Sequence, residues 1–293
     1  MPPTSPESLT PAAAAPVADL ADALSTAETS RAASASASAS VSEPVSEPVA
    51  APVSANPAAV GIAILAKAPL PGYAKTRLVP LLGPAGAAAL QDWLTARAVT
   101  TALAAATGPV TLWAAPDATH PAFGRHAGRA GHVDLRPQPA GDLGRRMLAA
   151  LAESPTPAGT LVIGTDCPAL SAGHLQQAAA ALRTHDATLI PAEDGGYVLI
   201  GLRRAVPEVF AGVDWSTPRV LAQTRQRLAA AGLDVFEFSP LWDVDRSADY
   251  ERLCARHPEL AAQLATQLAT PMAPPAGPMP AARPDSRLST EAP

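Results

Sequence analysis

Residues 159–168 read Gly159-Thr160-Leu161-Val162-Ile163-Gly164-Thr165-Asp166-Cys167-Pro168. The apolar run has no polar alternation, the pattern of a strand buried on both faces inside a parallel sheet. It ends at a glycine, and a carboxylate follows on a turn stiffened by Pro168. Working outward, residues 60–65, 109–114, 133–136, 187–191, 197–202 and 233–238 read as further strands. Between them, residues 84–106, 142–151, 171–183, 217–231 and 247–255 carry apolar side chains at helical spacing. In 84–106 these are Leu90, Trp93, Leu94, Ala98 and Leu103, and Ser171 is placed to cap the helix that follows it. Strands alternating with helices predict an α/β domain, with a mainly parallel sheet covered on both faces. In such sheets ligands collect beyond the carboxyl ends of the strands. The loops at 66–77, 164–168 and 191–196 are therefore where function is expected.

Composition sets the limits of that domain. The chain has 293 residues. Residues 1–57 are an Ala/Ser/Pro-rich leader with the tandem Ser42-Glu43-Pro44-Val45 and Ser46-Glu47-Pro48-Val49, and residues 271–293 return to Pro and Ala. Neither stretch can bury enough apolar surface to offset the entropy of ordering it, so both are expected to be disordered around a folded domain at 58–270. No apolar h-region precedes the first basic residue, Arg31, so no secretory signal is expected. No run approaches the ~20 apolar residues of a membrane span. Two cysteines, Cys167 and Cys254, are too few for a disulfide framework or a zinc site, which fits a cytoplasmic protein. A net charge of -5 argues against general nucleic-acid binding.

The loop after the first strand holds the chain's two lysines, Lys67 and Lys75, together with Gly72 and Arg77. Every other basic residue of the chain is arginine. A strand opening into a Gly/Pro turn with clustered cations suits an anionic phosphate, although a cationic loop can also be merely solvated. Asp166 is placed either as a turn residue or as a ligand for Mg²⁺ or Mn²⁺, which take one or two carboxylates plus phosphate oxygens. Asp243 and Asp245 alternate in an extended segment and so point to one side; Asp245 is equally placed to cap the helix at 247. Glu193-Asp194-Gly195-Gly196-Tyr197 reads as a substrate loop or as a plain hairpin turn. Gly141-Asp142, with Arg146 beyond, opens a helix that either presents backbone N–H groups to a ligand or simply begins there. His120, His126 and His132 read as solvated surface, and Cys167 as a core thiol rather than a nucleophile.

Taken in order, Lys67-x-Pro69-x-Pro71-Gly72-x-x-Lys75-Thr76-Arg77-Leu78, Gln138-x-x-Gly141-Asp142-Leu143-Gly144-x-Arg146-Met147, Gly164-Thr165-Asp166-Cys167-Pro168, Asp194-Gly195-Gly196-Tyr197 and Asp243-Val244-Asp245 resemble the bacterial DUF2064 family of GT-A-type transferases. Some members are named as arsenosugar-biosynthesis glycosyltransferases, and the wider relatives include nucleotidyltransferases. The resemblance implies a GT-A-like three-layer α/β/α sandwich, a nucleoside-phosphate donor and a divalent metal, Mg²⁺ or Mn²⁺. It places Lys75 and Arg77 on the donor phosphates, Asp166 and Asp245 (with Asp243) on the metal, and Asp194 on the acceptor side. Lys67, Gly72, Gly141, Asp142, Arg146, Gly195, Gly196 and Tyr197 complete the implied substrate-binding set, and Asp166, Asp194 and Lys75 the catalytic one. Two positions depart from relatives. The loop is proline-rich where pyrophosphorylases are glycine-rich, and Arg246-Ser247 stands where Thr-Pro is common.

The expected activity is metal-dependent glycosyl transfer from a nucleotide sugar to a small-molecule acceptor, with Asp194 or Glu193 taking the acceptor's proton. The alternative is a nucleotidyltransferase that joins an NTP to a phosphorylated acceptor. A reading from another class is a nucleotide-binding module without turnover.

Overall fold

The computed structural model describes residues 58–128, 133–154 and 156–259, with Ala262 and Thr266. The leader, the tail and His132 lie outside the described residues, and the expectations for them are neither met nor contradicted.

Seven strands form one sheet: β1 (Gly61–Lys67), β2 (Val110–Ala115), β3 (Val133–Pro137), β4 (Thr160–Ile163), β5 (Ala187–Pro191), β6 (Tyr197–Leu202) and β7 (Val235–Glu237). They lie in the order β3-β2-β1-β4-β6-β5-β7. All pairings are parallel except those of β6, which runs antiparallel to both β4 and β5. The expected mainly parallel sheet is present. The exception arises because β5 and β6 are joined by the short turn at 192–196, and a turn that short can only reverse the chain.

The helices are α1 (Val79–Ala105), α2 (Pro121–Gly128), α3 (Leu143–Glu153), α4 (Ala172–Ala181), α5 (Pro207–Phe210), α6 (Val220–Ala230) and α7 (Ser247–Arg256). The expected start of α1 at Pro84 marks a real break. Gly83 there has φ 68 and ψ 168, a left-handed φ open to glycine, and one helical turn precedes it. α2 and α5 do not stand out in the sequence. α2 carries glycines at both 124 and 128, and α5 has only 4 residues, so neither shows a sustained period.

Two cores lie on the two faces of the sheet, giving three layers. On one face Ile62, Ile64 and Leu112 pack with Val99 of α1, Phe123 of α2 and Leu175 of α4. On the other, Ala63, Trp113 and Ile200 pack with Met147 of α3, Val209 of α5 and Leu228 of α6. Successive residues of β1 thus feed opposite cores, which is why the strand is apolar throughout. A third, smaller cluster matters most for the site. Leu78, Leu90, Leu94, Trp242, Val244 and Leu253 pack together beyond the end of the sheet, and they fix the segment carrying Asp243 and Asp245. Among the described residues no helix is long and apolar enough to cross a membrane.

Candidate active site

Past the carboxyl ends of β1 and β4, two loops are tied to a third segment. Asp166 follows β4, and its backbone carbonyl accepts from the Val244 N–H at 2.9 Å. Val244 is fully buried and Trp242 nearly so. In this extended segment the two apolar side chains face inward, so the intervening Asp243 and the following Asp245 face the cleft. The alternative role for Asp245, capping α7, is filled by other groups. The Asp249 carboxylate accepts from the N–H groups of Asp245 and Arg246, which leaves the Asp245 side chain free for the cleft.

Lys75 reaches into that cleft from the loop after β1. Its backbone is left-handed, with φ 50 and ψ 40, a conformation that costs a residue with a Cβ about 1 kcal/mol. Its ammonium lies 2.7 Å from Asp166 Oδ1 and 3.5 Å from Asp245 Oδ1, and donates to the Val244 carbonyl at 2.6 Å. The Lys75 side chain is only 4% exposed, whereas those of Asp166 and Asp245 are 47% and 34% exposed. Arg77 meets Asp245 from outside, Nη1 to Oδ2 at 2.8 Å, and stays 59% exposed.

The electrostatics follow from this arrangement. Asp166 is half open to solvent, so the desolvation that opposes its ionisation is partial, and the ammonium of Lys75, with help from Lys67 and the Thr165 hydroxyl, outweighs it and holds the carboxyl below its usual range. Asp243 goes the other way. Burial, then the charges of Asp194, Asp245 and Asp166, push it up to about 6. Three neighbouring carboxylates thus bear on Asp243. Burial, with a smaller push from Asp243 and Asp166, raises the Cys167 thiol to about 12, so it stays protonated, as expected of a core thiol.

The walls are braced from beneath. Gln91 of α1, 2% exposed, donates to the Thr165 hydroxyl at 3.0 Å, and Arg97 donates to the Pro168 carbonyl at 2.9 Å. On the other side, Gln138 Nε2 donates to the carbonyls of Ala66 and Trp113 at 3.0 and 2.8 Å, clamping the ends of β1 and β2. Arg146 reaches the Gln138 side-chain oxygen only at 3.4 Å, and its Nε–H is buried without a partner. Asp142 caps α3 through the Arg145 N–H at 2.8 Å. Helix initiation, one of its two expected roles, is therefore accounted for. A Cβ on Gly144 would stand 2.6 Å from the Trp215 ring, so that packing requires glycine.

The acidic loop at 193–196 is the hairpin turn between β5 and β6, with the Ala192 N–H on the Gly196 carbonyl at 3.0 Å. Its residues separate in role. Glu193 turns away to Arg252 of α7, at 2.8 and 3.3 Å, and that hydrogen-bonded pair holds its carboxyl below the usual range. Asp194 Oδ1 accepts from the Gly196 N–H at 2.9 Å, while its charge reaches Asp243. Gly195, with φ 92, lies so close to Pro218 that a Cβ would stand 2.3 Å from its carbonyl oxygen. Tyr197 is partly buried, its hydroxyl on the Met147 sulfur at 3.6 Å, and burial raises its pKa.

The structure thus brings Lys75, Arg77, Asp166, Asp194, Asp243 and Asp245 to one cleft, with Lys67 exposed at the end of β1. Gly72 has φ 78 and open space where a Cβ would stand, so its part is to turn the loop. His126 is corrected from surface to interior. It is buried, with Nε2 2.8 Å from Asp92 Oδ1, because the unforeseen α2 packs it against α1. The sequence reading gave no role to Gln138, Gln91 or Arg252. For Gln91 the available signal was a polar side chain within an otherwise apolar run; Gln138 and Arg252 carried none.

Residues 98–217 match the DUF2064 family. DUF2064 is described as an uncharacterized protein conserved in bacteria. The match to DUF2064 spans Asp166 and Asp194, while the lysine loop and the 243–245 segment lie outside the matched stretch. Among solved structures, a candidate nucleotide-diphospho-sugar transferase from Desulfovibrio desulfuricans G20 is similar at 27% identity and a TM-score of 0.63, covering 72% of this chain and 96% of that one. Rv0371c of Mycobacterium tuberculosis H37Rv, in a complex with manganese, is similar at 16% identity and TM-score 0.43, over 66% and 97%. A CMP:2-keto-3-deoxy-manno-octonic acid synthetase complexed with CTP is similar at 14% identity and TM-score 0.45, over 70% and 99%. No curated protein matches the chain.

Proposed function

We propose that this DUF2064 chain is a nucleotide-dependent transferase, and specifically a glycosyltransferase that takes a nucleotide sugar at the Lys75–Asp166–Asp245 cleft. The carrying observation is the convergence of two cations and four carboxylates at the carboxyl edge of the sheet, where an α/β fold receives phosphates. The likeness to the Desulfovibrio protein, over nearly its whole length, supports a nucleoside-diphosphate sugar as donor.

The donor set suits a divalent cation. The acids are hard oxygen ligands that converge on one place, and Asp243, raised first by burial and then by the charges of Asp194, Asp245 and Asp166, has no cation of its own there among the described residues. Asp166, Asp245 and Asp243 would hold Mg²⁺ or Mn²⁺, which when bound supplies Lewis-acid stabilisation of the departing diphosphate. Among the described residues no three such groups already stand at metal-holding separation. The protein's own contribution is positional. Arg77, exposed and carrying free N–H groups beside its bond to Asp245, meets the donor phosphates at the mouth. Lys67 adds positive charge at the end of β1. Asp194, held by its own loop through Oδ1, offers its other oxygen to the acceptor hydroxyl as proton acceptor. Glu193, committed to Arg252, braces that loop instead.

A thermal-shift screen of UDP-, GDP- and ADP-sugars and the four NTPs, with and without Mg²⁺ or Mn²⁺, tests the reading. A ligand at 100 times its Kd adds about 2.7 kcal/mol of stability. A shift with one nucleotide sugar, enhanced by metal, is expected. A shift with an NTP alone would replace glycosyl by nucleotidyl transfer, and metal-independent binding without turnover would leave a binding module.

A further inference from the structure

The position of the Lys75 ammonium conflicts with the role of a simple phosphate ligand. An ammonium has three N–H donors. Here they face Asp166 Oδ1 at 2.7 Å, the Val244 carbonyl at 2.6 Å and Asp245 Oδ1 at 3.5 Å, so none is left for a phosphate. The same two carboxylates are the ones expected to bind metal, and the ammonium lies between them. A divalent ion with bonds near ~2.1 Å to both oxygens and a lysine nitrogen already in contact with both cannot share that space.

We propose that Lys75 is the resident counter-cation of this site, and that a divalent ion takes Asp166 and Asp245 only by displacing its ammonium. The inference rests on the metal-binding part of the proposed function. In the metal-free protein, Lys75 stops the carboxylates from driving the β4 loop and the 243–245 segment apart. That segment is anchored to Asp166 by one backbone hydrogen bond as well. When metal enters, it takes over the neutralisation, and the ammonium leaves with three donors free for the donor phosphates. The cleft therefore acquires its phosphate-binding lysine only once metal is present. Ordered loading, metal before nucleotide, follows. A compact point charge on a flexible stem suits this exchange, whereas a rigid, planar guanidinium would not fit between the two oxygens. Arg77, on the outer oxygen of Asp245, need not move.

The lysine count makes the test direct, because Lys67 and Lys75 are the only lysines in the chain. Lys67 is exposed, but its charge reaches Asp166, so a lysine-containing peptide added to the reaction serves as the standard. The full chain is pulse-acetylated with an N-hydroxysuccinimide ester, with EDTA or with saturating Mg²⁺ and no nucleotide, and both sites are followed by peptide mass spectrometry. The added peptide should react equally in both states. Lys75 should be protected in EDTA and gain at least about tenfold in rate with Mg²⁺, equivalent to ~1.4 kcal/mol of released protection. Calorimetric Mn²⁺ titration of Lys75→Met gives the converse. Freed of its competitor, the variant should bind Mn²⁺ about tenfold more tightly than the wild type. Unchanged Lys75 reactivity on Mg²⁺ binding, no Mg²⁺ binding, or equal or weaker Mn²⁺ affinity in a folded Lys75→Met would each overturn the inference. If the variant does not fold, the wild-type labelling decides. A protein that passes these tests but binds no nucleotide sugar keeps the displaceable Lys75 and loses the glycosyl-transfer reading.

Discussion

Asp243→Asn should stabilise the metal-free protein, and only above the pH at which the carboxyl ionises. Asp243 is partly buried and stands among Asp194, Asp245 and Asp166, which lift its pKa to about 6. Against an ordinary carboxylate near ~3.9, that displacement corresponds to about 3 kcal/mol of resistance to ionisation. Asp243 is partly open to solvent, and screening reduces the cost to about 1–2 kcal/mol. The sign follows from proton counting. Between about pH 4 and pH 6 the folded state holds a proton that the unfolded state has lost, so this group's contribution to stability falls as pH rises through that window. Below it, Asp243 is neutral in both states and Asn should add nothing. Above it, Asn removes the whole penalty. Urea unfolding in EDTA at about pH 3.5, 5 and 7.5 would measure the difference, with an expected gain of ~1–2 kcal/mol at the highest pH, or ~2–8 °C in Tm. Saturating Mg²⁺ should reverse the sign, because Asn is the poorer ligand. A gain that is the same at all three pH values would point to packing rather than charge. A loss at pH 7.5 in EDTA would refute the crowded-carboxylate account.

Two further substitutions probe the cleft. Asp166→Asn should lower transferase activity by at least ~10²-fold, since on the proposed function it removes a charge that stabilises the transition state. Asp245 and the Val244 carbonyl still receive Lys75 in that variant, so denaturant titration should show a stability loss of only about 1–2 kcal/mol; full activity would remove Asp166 from the site. Gly195→Ala should cost about 2–4 kcal/mol and broaden the hairpin's NMR signals. Its φ of 92 strains any side chain, and the Cβ would stand 2.3 Å from the Pro218 carbonyl oxygen. An unchanged melting curve would show that the two loops do not pack so closely.

Within the described residues, the sequence by itself determined the elements and their chemistry. The run 160–163 could only be a strand with both faces covered, and Ser171 and Asp142 cap their helices because short polar side chains satisfy free N–H groups there. Trp242 and Val244 in, Asp243 and Asp245 out, is equally local, a consequence of the two-residue repeat of extended chain. Distant partnership was not legible. The short turn sends β6 back along β5, but its insertion beside β4 is decided by the fold, and the burial of His126 depends on a helix too short and glycine-rich to announce itself. The exchange site was hidden most completely. Lys75, Asp166 and Asp245 are far apart in the chain, and their types suggested phosphate for the lysine and metal for the acids. Only tertiary structure decides that the ammonium rests on the acids, because the fold buries the Lys75 side chain while bringing its charge within reach of two carboxylates that stay partly open to solvent.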